Sequence, residues 1–174
     1  LLREAMLGGE IDCIVHLWNT PTGASTHIEL ERGRRLGFYS VLYLAQALGE
    51  FSRAKLLPVL VASTDMQQVL REPALRLEQS LLTGPILVMS QDIPRVRARS
   101  LDFASVDWTA EQGKKLSAAL LAEANVDSTE SLVAYRGGYR WTLAMSPVEL
   151  PAPAAESVPL REREIPAPAV AEAA

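Results

Sequence analysis

From Glu10 to Thr20 the chain reads Glu-Ile-Asp-Cys-Ile-Val-His-Leu-Trp-Asn-Thr, an apolar run rich in β-branched residues and closed by Asn19, Thr20, Pro21 and Gly23. A run this short between turn-forming residues predicts a strand buried on both faces rather than a helix. Strands of that kind belong mostly to parallel sheets covered by helices, which places this one centrally in an α/β sheet. In open α/β sheets ligands collect beyond the carboxyl ends of the strands. His16, Asn19 and Thr20, near that end, are therefore the first residues to test for chemistry.

The rest of the chain keeps the alternation going. Leu1 to Leu7 is helical in composition and stops at Gly8-Gly9, and a loop covers Thr20 to Ile28. From Glu29 to Phe51 apolar residues recur at spacings of three and four (Leu36, Tyr39, Leu42, Leu44, Leu48), with Glu29, Glu31, Arg32, Arg34 and Arg35 forming a solvated early face. Leu56 to Ala62 predicts a second strand, with Pro58 near its start because proline cannot donate to the middle of a ladder. Met66 to Val69 suits a short extended piece, and Pro73 to Val88 a helix interrupted at Gly84-Pro85. Val96 to Phe103 alternates as a third strand with one wetter portion. Ala110 to Asn125 carries a helical stripe of Leu116, Leu120 and Leu121. Two β-rich runs then meet at Gly137-Gly138, which predicts a hairpin pairing Tyr135 with Tyr139 or Val133 with Trp141. After Pro151 the chain turns to Pro, Ala and Glu, an extended linker that cannot build a core. The expected organisation is one domain over 1–150 and a linker over 151–174, with strands joined by crossover helices.

Net charge is −4, and phosphate binding needs a clustered excess of Lys and Arg, so nucleic acid is not the expected partner. No apolar run approaches a membrane span. The lone cysteine, Cys13, lies inside the apolar run, where a small buried hydrophobe is its expected role. The first residue is Leu and no signal pattern follows, so the chain reads as a fragment or a processed protein, with the cytoplasm as expected location.

Dinucleotide binding needs Gly-x-Gly-x-x-Gly between a strand and its helix, because pyrophosphate must approach bare backbone at a helix N-terminus. The sequence has no such spacing, and neither a phosphate loop nor a Gly-x-Ser-x-Gly elbow. His16 and His27 are the only histidines, without a cysteine pair, so no metal site is expected. Short-chain reductase chemistry needs a strand-end Ser and, on the next helix, a Tyr whose pKa a Lys four residues on depresses. Ser63 stands at a strand end, but Pro73 to Val88 contains neither Tyr nor Lys. Arg95, Arg97 and Arg99 read as a solvated edge with scattered ion pairs, and Tyr39 with Tyr43 as helix-surface packing. No catalytic, cofactor-binding or metal-ligating residue is expected.

Three segments in order, Cys13-Ile-Val-His-Leu-Trp-Asn, Arg35-Leu-Gly-Phe-Tyr-Ser-Val-Leu-Tyr-Leu-Ala-Gln-Ala-Leu-Gly and Val133-Ala-Tyr-Arg-Gly-Gly-Tyr-Arg-Trp-Thr, resemble the ketoreductase region of modular type I polyketide synthases. Leu82 to Pro94 and Arg99 to Asp102 extend the resemblance, which covers roughly residues 10 to 150 and matches the N-terminal, structural subdomain. It implies a truncated Rossmann-like, degenerate short-chain-dehydrogenase fold: a parallel sheet with flanking helices and a C-terminal β-hairpin, binding no nicotinamide itself. NADPH and the Ser/Tyr pair would belong to a second, catalytic subdomain. Pro159-Leu-Arg-Glu162 looks like the lead-in to that half, yet Arg-Glu-Ile-Pro-Ala-Pro-Ala-Val-Ala follows, without apolar strand or glycine-rich loop. The resemblance implies a non-catalytic scaffold, as in a pseudo-ketoreductase, or the structural half of an active β-ketoacyl reductase completed elsewhere. Its expected partners are other synthase domains: a catalytic ketoreductase subdomain, an acyl carrier protein, a dehydratase or a methyltransferase. The family's first βαβ stretch would precede Leu1, so an apolar flank needing a cover is expected beside the first strand.

Overall fold

The structure, a computed structural model, describes residues 11–20, 27–51, 54–72, 75–104 and 110–148. The helix expected over Leu1 to Leu7 and the linker over 151–174 lie outside the described residues. Ile14–Asn19 (β1) leads to a long helical stretch: α1 at His27–Arg32, a π-helical segment at Gly33–Tyr39 and α2 at Ser40–Gly49. Leu57–Thr64 (β2), a 3-10 turn at Leu77–Leu82, α3 at Thr83–Asp92, and Val96–Phe103 (β3) follow. Then come α4 at Ala110–Asn125 and a hairpin of β4, Leu132–Arg136, with β5, Tyr139–Thr142.

These strands form one sheet in the order β1-β2-β3-β4-β5, parallel from β1 to β4, with β5 antiparallel to β4. β2 and β3 are the two central, mostly buried strands; β2 carries an apolar run, whereas β3 buries Arg99, Ser100 and Asp102 among its apolar residues. One face packs Val59, Val61 and Ala98 against Val41 and Leu48 of α2 and Ile86 and Met89 of α3. The other packs Leu60, Leu101 and Val133 against Leu116 and Leu120 of α4. Strand order advances the same way throughout, yet α4 lies on the face opposite α2 and α3. The β3–α4–β4 crossover is therefore opposite in hand to the two before it.

Several expectations change. β1 is not central but is an edge strand among the described residues. Ile14 and His16 face α2, whereas Val15 and Leu17 on the other face are exposed and Trp18 is 62% exposed. Gly84-Pro85 does not interrupt a helix. It occupies the first turn of α3, where a backbone N–H has no intrahelical partner to lose. Residues 66–69 form a bent loop, not an extended piece. The hairpin is present with its register moved by one residue: Tyr135 pairs with Arg140 and Val133 with Thr142. Gly137 and Gly138 both have positive φ, 58° and 81°, so a two-residue loop pairs Arg136 with Tyr139 and fixes every pair behind them.

Leu1–Ala144 make one compact unit and Met145–Ala174 a second; the described residues of the second, 145–148, are exposed.

Candidate functional site

Because α3 and α4 cover opposite faces, the chain leaves β2 toward one face and β3 toward the other. Such a divergence opens the crevice at which α/β sheets hold ligands. Its walls here are Ser63 and Thr64 of β2, in register with Asp102 and Phe103 of β3. Ser63 is fully buried, and its hydroxyl donates to Asp102 Oδ1 at 2.8 Å. The same carboxylate accepts the N–H groups of Met66 (2.9 Å) and Gln67 (3.0 Å) and the guanidinium Nη2 of Arg136 (2.5 Å).

Arg136 stands at the end of β4, just before the glycine turn, and is almost fully buried. Its Nη1 donates to the carbonyls of Asp102 and Tyr135, its Nη2 also to the carbonyl of Gln67, and its Nε to Glu72 Oε1 at 2.6 Å. Glu72 in turn accepts the N–H groups of Val69 and Leu70. Burial pushes the Glu72 carboxyl up, but the N–H groups of Glu72, Val69 and Leu70 together with Arg136 outweigh it and hold the pKa at about 2. Asp65 and Arg71 bracket this loop with left-handed backbone, φ 51° and 60°, a strained geometry that persists only where surrounding contacts enforce it. The crevice is thus filled by the chain itself. Asp102, which would be the group to meet a cationic or hydrogen-bonding ligand, is saturated by four donors.

His16 and Asn19 meet a third residue, Ser40, in an arrangement that invites comparison with a nucleophile triad. His16 Nε2 lies 2.8 Å from Ser40 Oγ, and His16 Nδ1 lies 3.3 Å from Asn19 Nδ2. An amide nitrogen only donates, so Nδ1 accepts and the imidazole proton sits on Nε2. Ser40 sends its own proton to the carbonyls of Leu36 and Gly37. The imidazole already donates to the serine and has no free nitrogen to deprotonate it, so the direction is wrong for a general base. Burial lowers the His16 pKa, keeping the ring neutral near pH 7.

A Cβ added at Gly37 would stand 2.6 Å from Asn19 Oδ1, so only glycine lets the π segment approach Asn19. Gly37→Ala is expected to cost about 1–3 kcal/mol in chemical denaturation, the range for overpacking. Gly49→Ala, where nothing lies within 4 Å, changes little and serves as the control.

Thr20 bonds back to the Leu17 carbonyl at 2.9 Å on the surface. His27 opens α1; its side chain is outside the described residues. Burial raises the half-buried Cys13 thiol, the opposite of an activated nucleophile. Tyr39 and Tyr43 stack on each other, ring centroids 6.2 Å apart. Among the described residues no group of three or more His, Cys, Asp or Glu could hold a metal, and no helix is long and apolar enough to cross a membrane.

The arginine strip is not a solvated edge throughout. Arg97 pairs with Asp127 at the surface, but Arg99, 2% exposed, points under α4. There it meets Glu123 Oε2 at 2.5 Å and the carbonyls of Glu123, Ser128 and Glu130. Glu123 also accepts from the Tyr135 hydroxyl (2.7 Å) and Arg140 Nε (2.5 Å). Burial and the Glu123 carboxylate push the Tyr135 phenol up to about 12. A reductase tyrosine needs its pKa depressed by a lysine; this one is moved the other way. Beside this cluster a groove of about 280 Å³ opens between β2 and the end of α4, walled by Leu56, Pro58 and Leu60 and by charges already paired.

Sequence reasoning gave no role to Asp102, Glu72, Arg136 and Glu123, although Asp102 and Arg136 lie in segments that carry the family resemblance. The available signal was positional: an Asp near the carboxyl end of a strand and an Arg directly before a glycine turn, each costly to bury without a partner.

No protein-family model matches the chain, and no curated protein matches it. Among solved structures, one match is described as the adenylation, ketoreductase, and pseudo Asub multidomain structure of a keto acid-selecting NRPS module. The superposition covers 80% of this chain with a TM-score of 0.67 and 20% identity. The fold is truncated Rossmann-like. At 20% identity the likeness establishes that fold, and the chain spans only 11% of the matched chain's length.

Proposed function

We propose that this chain is a non-catalytic structural subdomain of a ketoreductase-type region in a multidomain synthase, of polyketide type, positioning neighbouring domains. The observation that carries this reading is the filled crevice between β2 and β3. Beyond the carboxyl ends of β2 and β3, where open α/β sheets hold ligands, Asp102, Arg136 and Glu72 close on one another and on the loop between them. The ketoreductase-like sequence segments and a structural match whose own description includes a ketoreductase domain support the kind of assembly. The partners would be other domains of the synthase, among them a catalytic ketoreductase subdomain or an acyl carrier protein, and NADPH would be held by the catalytic subdomain.

Titrating the chain with NADPH, followed by nicotinamide fluorescence and by calorimetry, tests the proposal. No saturable binding is expected up to millimolar cofactor. Saturation in the micromolar range would overturn it, because such affinity requires a site the crevice does not leave open.

A further inference from the structure

We propose that His16, Asn19 and the π segment form a pH-sensitive latch that ties the carboxyl end of β1 to the long helix and loosens in mild acid. Among the described residues, the groups that touch the imidazole are Ser40 from α2 and Asn19 and Trp18 from the strand's own end, and Val61 of β2 is the register partner of His16. None of these is ionisable. The pKa of His16 is set by burial, which lowers it, and by a hydrogen bond of its own backbone, which raises it.

In the neutral ring the hydrogen bonds run in one direction: Asn19 Nδ2 donates to His16 Nδ1, His16 Nε2 donates to Ser40 Oγ, and Ser40 donates to the carbonyls of the π segment. Adding a proton at Nδ1 sets two donors against each other at 3.3 Å. Asn19 can restore a partner only by turning its amide, which carries the NH2 group to the Oδ1 position, 2.6 Å from where a Cβ on Gly37 would stand. Asn19 is 2% exposed, so exchanging acceptor for donor there is costly. The protonated ring therefore disfavours the closed latch.

The sign follows. A histidine whose folded pKa is depressed below 6.5 binds its proton more readily in the open state. The closed latch is at full strength above pH 6.5 and weakens as pH falls toward the folded value. The open population gains up to about tenfold for each pH unit separating the two midpoints.

The test follows the imidazole C2–H of His16, the Asn19 side-chain NH2 and the Gly37 amide by NMR between pH 5 and pH 8, with His27→Gln to assign the two histidines. The expected result is a His16 midpoint below 6.5, with Asn19 and Gly37 shifting at that same midpoint, and amide protection factors over 37–40, corrected for the intrinsic pH dependence of exchange, falling as pH drops from 6.5 to that midpoint. His16→Gln, which cannot take up a proton, should keep the fold and abolish this loss of protection. A midpoint at or above 6.5, Asn19 and Gly37 signals indifferent to His16, or a loss of protection that persists in His16→Gln would each overturn the latch.

Discussion

Arg136→Met is expected to lower the unfolding free energy by about 3–5 kcal/mol, the loss that follows when one partner of a buried ion pair is removed. The reason lies at Asp102. Its carboxylate is fully buried, and without the guanidinium it keeps the Ser63 hydroxyl and two backbone N–H groups but no countercharge. Glu72 loses its partner at the same time, though it can reach solvent more readily. Asp102→Asn should moderate the effect: in the Asp102→Asn/Arg136→Met double variant the fully buried charge is gone, only the more exposed Glu72 is left without its arginine, and the amide oxygen can still accept from the loop. Urea unfolding of the two single variants and the double variant forms the cycle that checks this. If the costs simply add, the pair is not coupled and the crevice is not held shut by charge. Amide exchange of residues 66–70 should quicken in Arg136→Met well before global unfolding, since that loop hangs on the same network.

The contrast between what the residues disclosed and what they hid has a physical basis. Val96 to Phe103 was legible to its ends, because Val96, Ala98 and Ser100 alternate with Arg97, Arg99 and Leu101 at the two-residue period of a strand. The hairpin was legible because Gly137-Gly138 has few other uses; its register needed the loop length, which the two positive φ values set. The position of β1 was not legible. Apolar residues such as Val15, Leu17 and Trp18 record surfaces that need a cover, not which element supplies it, and so the run read as a central strand. The crevice was hidden for a different reason. Ser63 and Asp102 are 39 residues apart and meet only because β2 and β3 pair in one register; Arg136, 34 residues beyond Asp102, arrives from a third strand. Each residue alone looks like a surface polar group. The mistaken reading of Arg99 is the same failure: its alternation with small residues suggests solvent, while the deciding partner, Glu123, sits on a helix that sequence places on no particular face.

Glu123 is the second residue whose loss should be severe, and for it too a cost of about 3–5 kcal/mol is expected for Glu123→Leu. Both Glu123 and Arg99 are 2% exposed, so the arginine left behind cannot move its charge to water; it keeps three carbonyl partners and no carboxylate. The paired replacement Arg99→Met/Glu123→Leu should recover much of the loss, since apolar side chains of similar volume often match a buried ion pair. Arg140 tests whether the charge or its burial matters. It touches the same carboxylate but is about a third exposed, so Arg140→Ala should cost under about 1 kcal/mol. Tyr135 supplies an independent readout. Its phenol is held at about 12 by burial and by the Glu123 carboxylate, and Glu123→Gln removes the charge while keeping an acceptor, so its phenolate absorbance should appear at lower pH, nearer the ordinary 10.0. An unchanged Tyr135 titration in a folded Glu123→Gln would mean that the carboxylate is not where the network requires it, and the stability argument for Arg99 would fall with it.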